Sequence, residues 1–440
     1  MTAYEEALDY IESIPKFTSK NTLEVTRAYL RLLGSPEKGL SVIHVAGTNG
    51  KGSVCAYLSR ILREAGRRTG LFISPHLTDI RERMSIDGEY IGKDQFLELY
   101  ELVRHTAGRE GLPHPAYFEF LYLMAMVWFG RTRPEYVILE TGLGGRLDAT
   151  NAGEEKILSV ITRIGIDHTQ YLGNTHEEIA FEKAGILREG VPALCLKEPG
   201  EALSVIRDRA LSLGAPLTVV GPGDWKGSKV VAEGIDFSFH HRYHGKGTNN
   251  ADILPTVHAL LPTHGLYQVE NASLASAAAQ LLGIPAEQIE KGLQDTFWPG
   301  RMEMVRPGIY LDGGHNPDGI RAFLSSALAL QTGPGGRKLL LFSVVADKDY
   351  RQMLRMILSE GIFSEIRAVP MPGKRALDAD GLRRALKSLE GDVPGAEALV
   401  DPGPVEDAFD RIVRIKRDED LLFVSGSLYL VGMLSSRLKR

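Results

Sequence analysis

The stretch Ser41-Val-Ile-His-Val-Ala-Gly-Thr-Asn-Gly-Lys-Gly-Ser53 decides the fold, because a β-branched run ends there in a glycine-rich turn that opens a helical pattern. The amphipathic spacing continues from Ser53 to Ala65 and is closed by Gly66, and a second β-branched run follows at Thr69–Ile73. Strand, crossover helix and strand at those lengths make a βαβ unit, which requires parallel strands. Farther along, Tyr136–Glu140, Ile157–Thr162 and Pro192–Leu196 are apolar throughout, as strands covered on both faces are, and a helical pattern over Glu177–Leu187 separates the last two. The first part of the chain is therefore expected to be a doubly wound α/β unit.

From Val230 to Gln268 the rhythm changes to alternation in Ile235–Phe239 with Gly and Asn turns, which predicts a small antiparallel β insert. Its His240, His241 and His244 could cluster on a metal, but three histidines near a hairpin turn are more simply a solvated surface. Helical patterns at Glu270–Leu282 and Ala286–Gln294 lead to Phe297-Trp-Pro-Gly-Arg301, whose Pro-Gly pair marks a boundary. The βα rhythm then restarts with strands expected at Ile309–Gly313, Leu339–Val344, Glu365–Val369, Glu397–Asp401 and Leu421–Ser425. Two domains result, 1–297 with a mostly parallel sheet plus the insert, and 298–440 as a smaller Rossmann-like α/β unit.

Composition limits what such a protein can be. At roughly 150 residues per domain, a chain of 440 residues is too long for a single small module. An apolar fraction of 43% supplies more than one core. Lys plus Arg number 51 against 56 Asp plus Glu, so no basic excess exists to hold a polyanion, and nucleic acid is not the expected partner. Cys55 and Cys195 are too few for a disulfide framework or a zinc site, which points to a reducing compartment, the cytoplasm. The start, Met1-Thr-Ala-Tyr-Glu-Glu6, is acidic where a signal peptide is basic, and the apolar run Phe120–Phe129 is too short to span a bilayer, so it reads as a buried helix.

The glycine-rich turn carries the clearest chemistry. Backbone N–H groups at a helix start favour an anion, glycines let the chain close around it, and Lys51 reaches terminal phosphates. The generic phosphate-loop pattern is nevertheless missed, with Val45 where its first glycine belongs and Gly52 where Ser or Thr should follow the lysine. A second signal, Glu140-Thr-Gly-Leu-Gly-Gly-Arg-Leu-Asp-Ala-Thr-Asn151, begins at the C-terminal end of an expected strand, the edge where open α/β sheets bind ligands. A carboxylate beside a phosphate loop suits Mg²⁺, which takes few protein oxygens and shares those of the substrate. Gly165-Ile-Asp-His168 follows another strand, and Asp312-Gly-Gly-His-Asn-Pro317 repeats the arrangement in the second domain. Lys183, in a helix just after a carboxylate, reads on its own as a salt-bridged surface residue. Two such domains suggest a nucleotide in the cleft between them.

Taken together, the motifs resemble the folylpolyglutamate synthase/dihydrofolate synthase family of the Mur ligase superfamily. The likeness runs through AGTNGKGS (46–53), SPHL (74–77) with Arg81-Glu-Arg83, Phe118-Glu119, ETGLGGRLDATN (140–151), DHTQYLG (167–173), EKAGI (182–186), WPGRME (298–303), DGGHNP (312–317) and GSLYLVG (426–432). It explains the loop mismatch, since this branch carries a glycine between the lysine and the serine. The resemblance implies an ADP-forming ligase that phosphorylates a substrate carboxylate and lets the amine of L-glutamate attack the acyl phosphate. It implies that Asn49, Gly50, Lys51, Gly52, Ser53 and Val54 hold the triphosphate of ATP, with Asn271 and Arg301 contacting adenine and phosphate and Asp312 and His315 ribose and phosphate. Ser74, Glu140, His168 and Ser53 would ligate Mg²⁺, at two sites, and Lys183 would be N-carboxylated, reversing its reading in isolation. Lys51, Lys183, His168 and His315 are the catalytic set so implied, with a monovalent cation a further candidate cofactor.

For a pterin-bearing substrate the corresponding positions are Ala116, Tyr117, Phe118 and Glu119, Leu147, Asp148 and Ala149, and Asn21, Thr22 and Leu23. Phe118 could stack on a flat heterocycle and Asp148 could accept its N–H groups. Ala116, Tyr117, Thr22 and Tyr267 depart from the usual pattern of the family, which leaves the choice between dihydropteroate and reduced folates open. The expectation is thus a cytoplasmic, monomeric, bifunctional ligase using dihydropteroate, tetrahydrofolates, L-glutamate and ATP, with no nucleic-acid or membrane partner. The alternatives are a monofunctional folylpolyglutamate synthase and a non-catalytic nucleotide-binding protein of the same fold. A dinucleotide-binding oxidoreductase would need a GxGxxG turn, and residues 47–53 lack that spacing.

Overall fold

The computed structural model describes residues 2–15, 21–198, 200–243, 252–253, 255–372, 377–389 and 399–438. Its larger sheet has eight strands: β1 (Val42–Ala46), β2 (Thr69–Phe72), β3 (Met84–Ile86), β4 (Glu89–Tyr90), β5 (Tyr136–Glu140), β6 (Lys156–Ile161), β7 (Ala193–Leu196) and β8 (Leu217–Val220). They lie in the order β4-β3-β2-β5-β1-β6-β7-β8, parallel from β2 to β8, with an antiparallel edge at β3 and β4. Strand β1 is fully buried and sits between β5 and β6, so the chain leaves it to opposite sides and opens a crevice at its C-terminal end. The glycine-rich turn emerges into that crevice.

Two layers of helices cover this sheet. The helix Tyr117–Thr132 is apolar on all faces and buried from Phe120 to Phe129, so this run is the core helix expected. On the other side the helix Lys51–Glu64 packs against Gln268–Leu281, whose run of Ala and Ser lets the two backbones approach closely. Three antiparallel strands, β9 (Trp225–Val231), β10 (Gly234–Phe239) and β13 (Val257–Leu261), form the insert, and the short pair β11 (Arg242–Tyr243) and β12 (Asp252–Ile253) lies between β10 and β13 in sequence. The alternation that announced the insert lies in β10, where Ile235, Phe237 and Phe239 are buried and Asp236 is exposed, and β13 repeats it with every second side chain buried.

A second sheet is built wholly from residues after Gly300: β14 (Arg301–Arg306), β15 (Ile309–Asp312), β16 (Lys338–Phe342), β17 (Glu365–Ala368) and β18 (Leu421–Ser425), in the order β14-β15-β18-β16-β17. Strand β14, antiparallel to β15, was not anticipated, because Arg301-Met-Glu-Met-Val-Arg306 lacks the apolar density of the other strands and lies at an edge. The strand expected at Glu397–Asp401 is corrected to one parallel bridge from Val400 to Ala368, with 397 and 398 outside the described residues. His244 also lies outside them, while His241 is buried against Asp224 (Nδ1 to Oδ1, 2.9 Å) and stacked on Phe239, a packing role. Cys55 and Cys195 are buried free thiols. Among the described residues no helix is long and apolar enough to cross a membrane.

Candidate active site

The turn after β1 is held open by its neighbours. Thr48 and Asn49 donate their N–H groups to Arg163 O at 2.8 and 3.3 Å, and Thr162 Oγ1 donates to Asn49 O at 2.7 Å. Gly47 and Gly50 have positive φ, and a Cβ on Gly50 would lie 2.2 Å from Asn271 Oδ1, so only glycine lets the loop meet that helix. Lys51 curls over its own loop, Nζ donating to Gly47 O (3.1 Å) and Thr48 O (3.2 Å), which keeps the ammonium at the crevice. Ser53 Oγ is buried with no hydrogen-bond partner among the described residues. Val54 is core, its N–H donating to Gly50 O at 2.9 Å, so it supports the loop from beneath.

Glu140 ends β5 with its carboxylate buried and pairs with no cation at bonding distance among the described residues; the Ser74 N–H donates to it at 2.9 Å. Burial raises its carboxyl above the usual range, opposed by the charge of Lys51 and the Ser74 hydrogen bond. A buried carboxylate so incompletely matched is poised for a cation. The helix His176–Ala184 docks on the loop after β5 through Arg146 N–H to Glu182 O (2.7 Å) and Asn151 Nδ2 to Gly185 O (3.2 Å). It buries Lys183 almost completely, which corrects the reading of that lysine as a surface residue and agrees with a role inside the protein.

Asp167 organises the contact between the two sheets' loops. Lys348 Nζ donates to its Oδ1 at 2.6 Å, Asn316 Nδ2 donates to its Oδ2 at 3.0 Å, and Asn316 exchanges amide hydrogen bonds with Asn49 at 3.1 and 3.2 Å. Asp318 Oδ2 accepts from Ile166 N–H at 3.2 Å beside them. Burial alone would raise the Asp167 carboxyl, but Lys348 and then His168 and His315 hold it well below the usual range. Burial lowers both His168 and His315 to about 4, so each imidazole is neutral near pH 7 and keeps a nitrogen lone pair for a metal or a donor. His315 uses its Nδ1 on Gly313 O at 2.8 Å.

In the second sheet Asp312 accepts from Tyr267 Oη (2.6 Å) and Met302 N–H (3.1 Å) on one oxygen and from Gly314 N–H (2.8 Å) on the other, which retains one acceptor position. A cavity of about 160 Å³ lies between the insert and the start of this sheet, lined by Tyr57, Gln268, Trp298 and Arg301 among others. It adjoins the turn, since the Trp298 indole would stand 3.1 Å from a Cβ on Gly52.

The expected pterin wall lies on the other side of Glu140. Phe118 is half-buried, 5.5 Å from Phe72 between ring centroids, and pressed against Gly142. The expectation that Asp148 accepts N–H groups from a heterocycle is corrected: Gly142 and Leu143 N–H fill one oxygen, Thr150 N–H and Oγ1 the other. That carboxylate shapes the loop and leaves Leu147, half exposed, as its outward face. Glu119 likewise closes a local ring, accepting from Ala116 N–H, Asn21 N–H and Asn21 Nδ2 at 2.8, 3.2 and 2.6 Å, which ties Asn21-Thr-Leu23 to this wall. Ala149 is buried in the short helix behind them.

Sequence reasoning missed Lys348, Asn316 and the structural weight of Asp167. Lys348 lies in Val345-Ala-Asp-Lys348, a few residues beyond the end of β16, and the rule that polar groups beyond a strand's C-terminus line the crevice, applied to every strand, finds it.

The family described as Mur ligase, glutamate ligase domain matches residues 300–428. The dihydrofolate synthase/folylpolyglutamate synthase of Bacillus subtilis is 34% identical over 454 aligned residues, covering 100% of both chains. A crystal structure of Mycobacterium tuberculosis folylpolyglutamate synthase complexed with ADP and AMPPCP superposes with a TM-score of 0.86 at 27% identity, covering 100% of this chain and 98% of that one. A bifunctional folylpolyglutamate synthase/dihydrofolate synthase with Mn, AMPPNP and L-glutamate bound gives 0.81 at 29% identity, covering 100% and 99%.

Proposed function

Because the chain belongs to the folylpolyglutamate synthase/dihydrofolate synthase family, we propose that its crevice phosphorylates the carboxylate of a pterin substrate with ATP and couples it to L-glutamate. The protein is an ADP-forming ligase; the substrates proposed are dihydropteroate for the first glutamate and tetrahydrofolates for later ones. The observation that supports this most is a pair of buried oxygen groups near Lys51: among the described residues Ser53 Oγ has no hydrogen-bond partner, and the Glu140 carboxylate accepts from Ser74 N–H but pairs with no cation at bonding distance. We propose a domain boundary between 297 and 298 and a protein that works as a cytoplasmic monomer.

The buried Glu140 carboxylate, with no cation at bonding distance among the described residues, suits a divalent cation. No three His, Cys, Asp or Glu side chains gather there among the described residues, so the remaining ligands would include hydroxyls and the phosphates of ATP. Ser53, Ser74, Glu140 and neutral His168 offer hard oxygens and one imidazole, and Lys183, if N-carboxylated, would add an anionic oxygen in its buried setting. Mg²⁺ there supplies neutralisation of phosphate charge and polarisation of the transferred phosphoryl group. We assign two such ions and leave a monovalent ion as a further candidate cofactor. Asn49, Gly50, Lys51 and Gly52 would cradle the triphosphate, and Arg301 would reach it from the second sheet. The cavity beside Trp298 and Gln268 takes the base, with Asn271 steadying the loop and Asp312 and His315 on the ribose and phosphate side.

Two anions, carboxylate and triphosphate, must meet in line, and fixed cations with backbone dipoles lower the cost of that approach. The carboxylate oxygen attacks the γ-phosphorus, ADP departs, the amine of L-glutamate attacks the acyl carbon, and phosphate leaves. Contacts through Asp167, Asn316 and Asp318 seat the second sheet's loops over the crevice and exclude water that would hydrolyse the acyl phosphate. The test is ADP and glutamylated product, measured with Mg-ATP, L-glutamate and each pterin separately. Product from both pterins is expected; from tetrahydrofolate alone it would establish the monofunctional enzyme; ADP release without any pterin-derived product would overturn the ligase reading.

A further inference from the structure

Arg83 belongs to a motif that the reading above leaves without a role. It ends the short helix Ile80–Arg83, and its carbonyl accepts from Ile73 N–H at 2.9 Å, which fixes it beside Ser74 at the crevice. Its side chain is buried, Nε donates to His76 Nδ1 at 2.9 Å, and the guanidinium lies over the Tyr117 ring, 5.3 Å from the centroid. Neither Nη1 nor Nη2 makes a hydrogen bond, and no carboxylate stands at ion-pair distance, among the described residues. Arg81, two residues earlier in the same turn, shows the contrast: it is bonded through Nε and Nη2 to both oxygens of Asp79 at 2.7 to 3.1 Å.

A buried guanidinium without a counter-ion is costly unless something supplies one. Tyr117, Glu12, Glu140 and Tyr429 are the groups near enough to act on its charge. They place it where the proposed pterin wall (Tyr117), the metal side (Glu140) and the second domain (Tyr429) converge. A pterin substrate reaching from the wall to the metal side therefore passes Arg83 just before its reacting carboxylate.

The two proposed substrates differ at that point. Dihydropteroate ends in a benzoate whose one carboxylate is the one that reacts. A tetrahydrofolate ends in a glutamyl residue, whose γ-carboxylate reacts and whose α-carboxylate does not. We propose that Arg83 binds this non-reacting α-carboxylate through its two free Nη groups and so selects for glutamate-chain extension. The planar fork matches a carboxylate bidentately, whereas Lys51 and the cation site face the phosphates. This inference rests on the ligase reading.

The experiment uses the full chain with Mg-ATP and L-glutamate, comparing wild type with R83Q and R83K. In R83Q the KM for tetrahydrofolate monoglutamate should rise about 100-fold, with dihydropteroate turnover within about threefold of wild type and part of the loss recovered in R83K. A tetrahydrofolate carrying an α-carboxamide should be about 100-fold poorer than the acid for wild type, while R83Q should treat amide and acid alike. The amide arm needs only the wild-type fold, so it stands even where R83Q is unstable. Equal losses with both pterins, a rise confined to the KM for L-glutamate, or a wild-type enzyme indifferent to the α-carboxamide would overturn the assignment. A wild-type chain inert toward both pterins would overturn the ligase reading and this inference with it.

Discussion

Glu140 and Asp420 are both buried carboxylates beside strands, yet they are built in opposite ways. Asp420 precedes β18 at its N-terminal end and accepts from Arg337 N–H, Arg337 Nη2, Arg417 N–H and Arg417 Nη2 at 2.7, 2.8, 3.0 and 3.1 Å. Burial works against its charge, but Arg337 and then Arg417 hold its carboxyl well below the usual range. Glu140 ends β5 at the C-terminal edge, with one backbone donor and a carboxyl raised by burial. An acid with a filled shell stabilises the fold, and an acid left open at a ligand-binding edge costs stability that only a cation restores.

Lys51→Ala should separate function from folding most sharply. Turnover is expected to fall by about a thousandfold or more while the melting temperature stays within about 2 °C, since among the described residues the lysine bonds only carbonyls of its own loop. Steady-state ADP release and a thermal scan check it. Glu140→Gln should cost about a hundredfold in kcat and leave the melting temperature equal or higher, because an uncompensated buried acid is removed. A large drop in melting temperature would show that Glu140 is structural after all.

Lys183→Ala should also lose most activity, and short carboxylic acids added to the assay should restore part of it if an N-carboxylate stood there. No rescue, together with an unmodified lysine by native mass measurement, would remove that group from the site. Asp420→Asn should do the reverse of Glu140→Gln, lowering the melting temperature by about 5 °C with kcat unchanged. The sign with pH follows from its depressed folded-state carboxyl: its stabilisation is complete above the unfolded value of about 3.9 and is lost as pH falls below it. Melting temperatures of wild type and D420N should therefore converge on acidification, and a constant gap would contradict the ion pair.

Much of this was legible in the sequence because hydrophobic period and turn chemistry are local. The strands around the glycine-rich turn, the core helix at Phe120–Phe129 and the insert follow from such patterns. Long-range satisfaction is not local. The same Leu-Asp-Ala spelling could leave Asp148 open to a ligand, and only the folded loop brings Gly142, Leu143 and Thr150 to occupy it. Lys348 is 181 residues from Asp167, and no window of sequence shows that they meet. Lys183 reads as a surface residue beside Glu182 until the helix docks and buries it.

The central claim is that the crevice activates a carboxylate by phosphorylating it. Dihydropteroate labelled with ¹⁸O in its carboxylate, turned over with Mg-ATP and L-glutamate, tests this directly through the mass of the released phosphate. The account predicts that one labelled oxygen passes to phosphate for each amide formed. Unlabelled phosphate with labelled amide and water would contradict it.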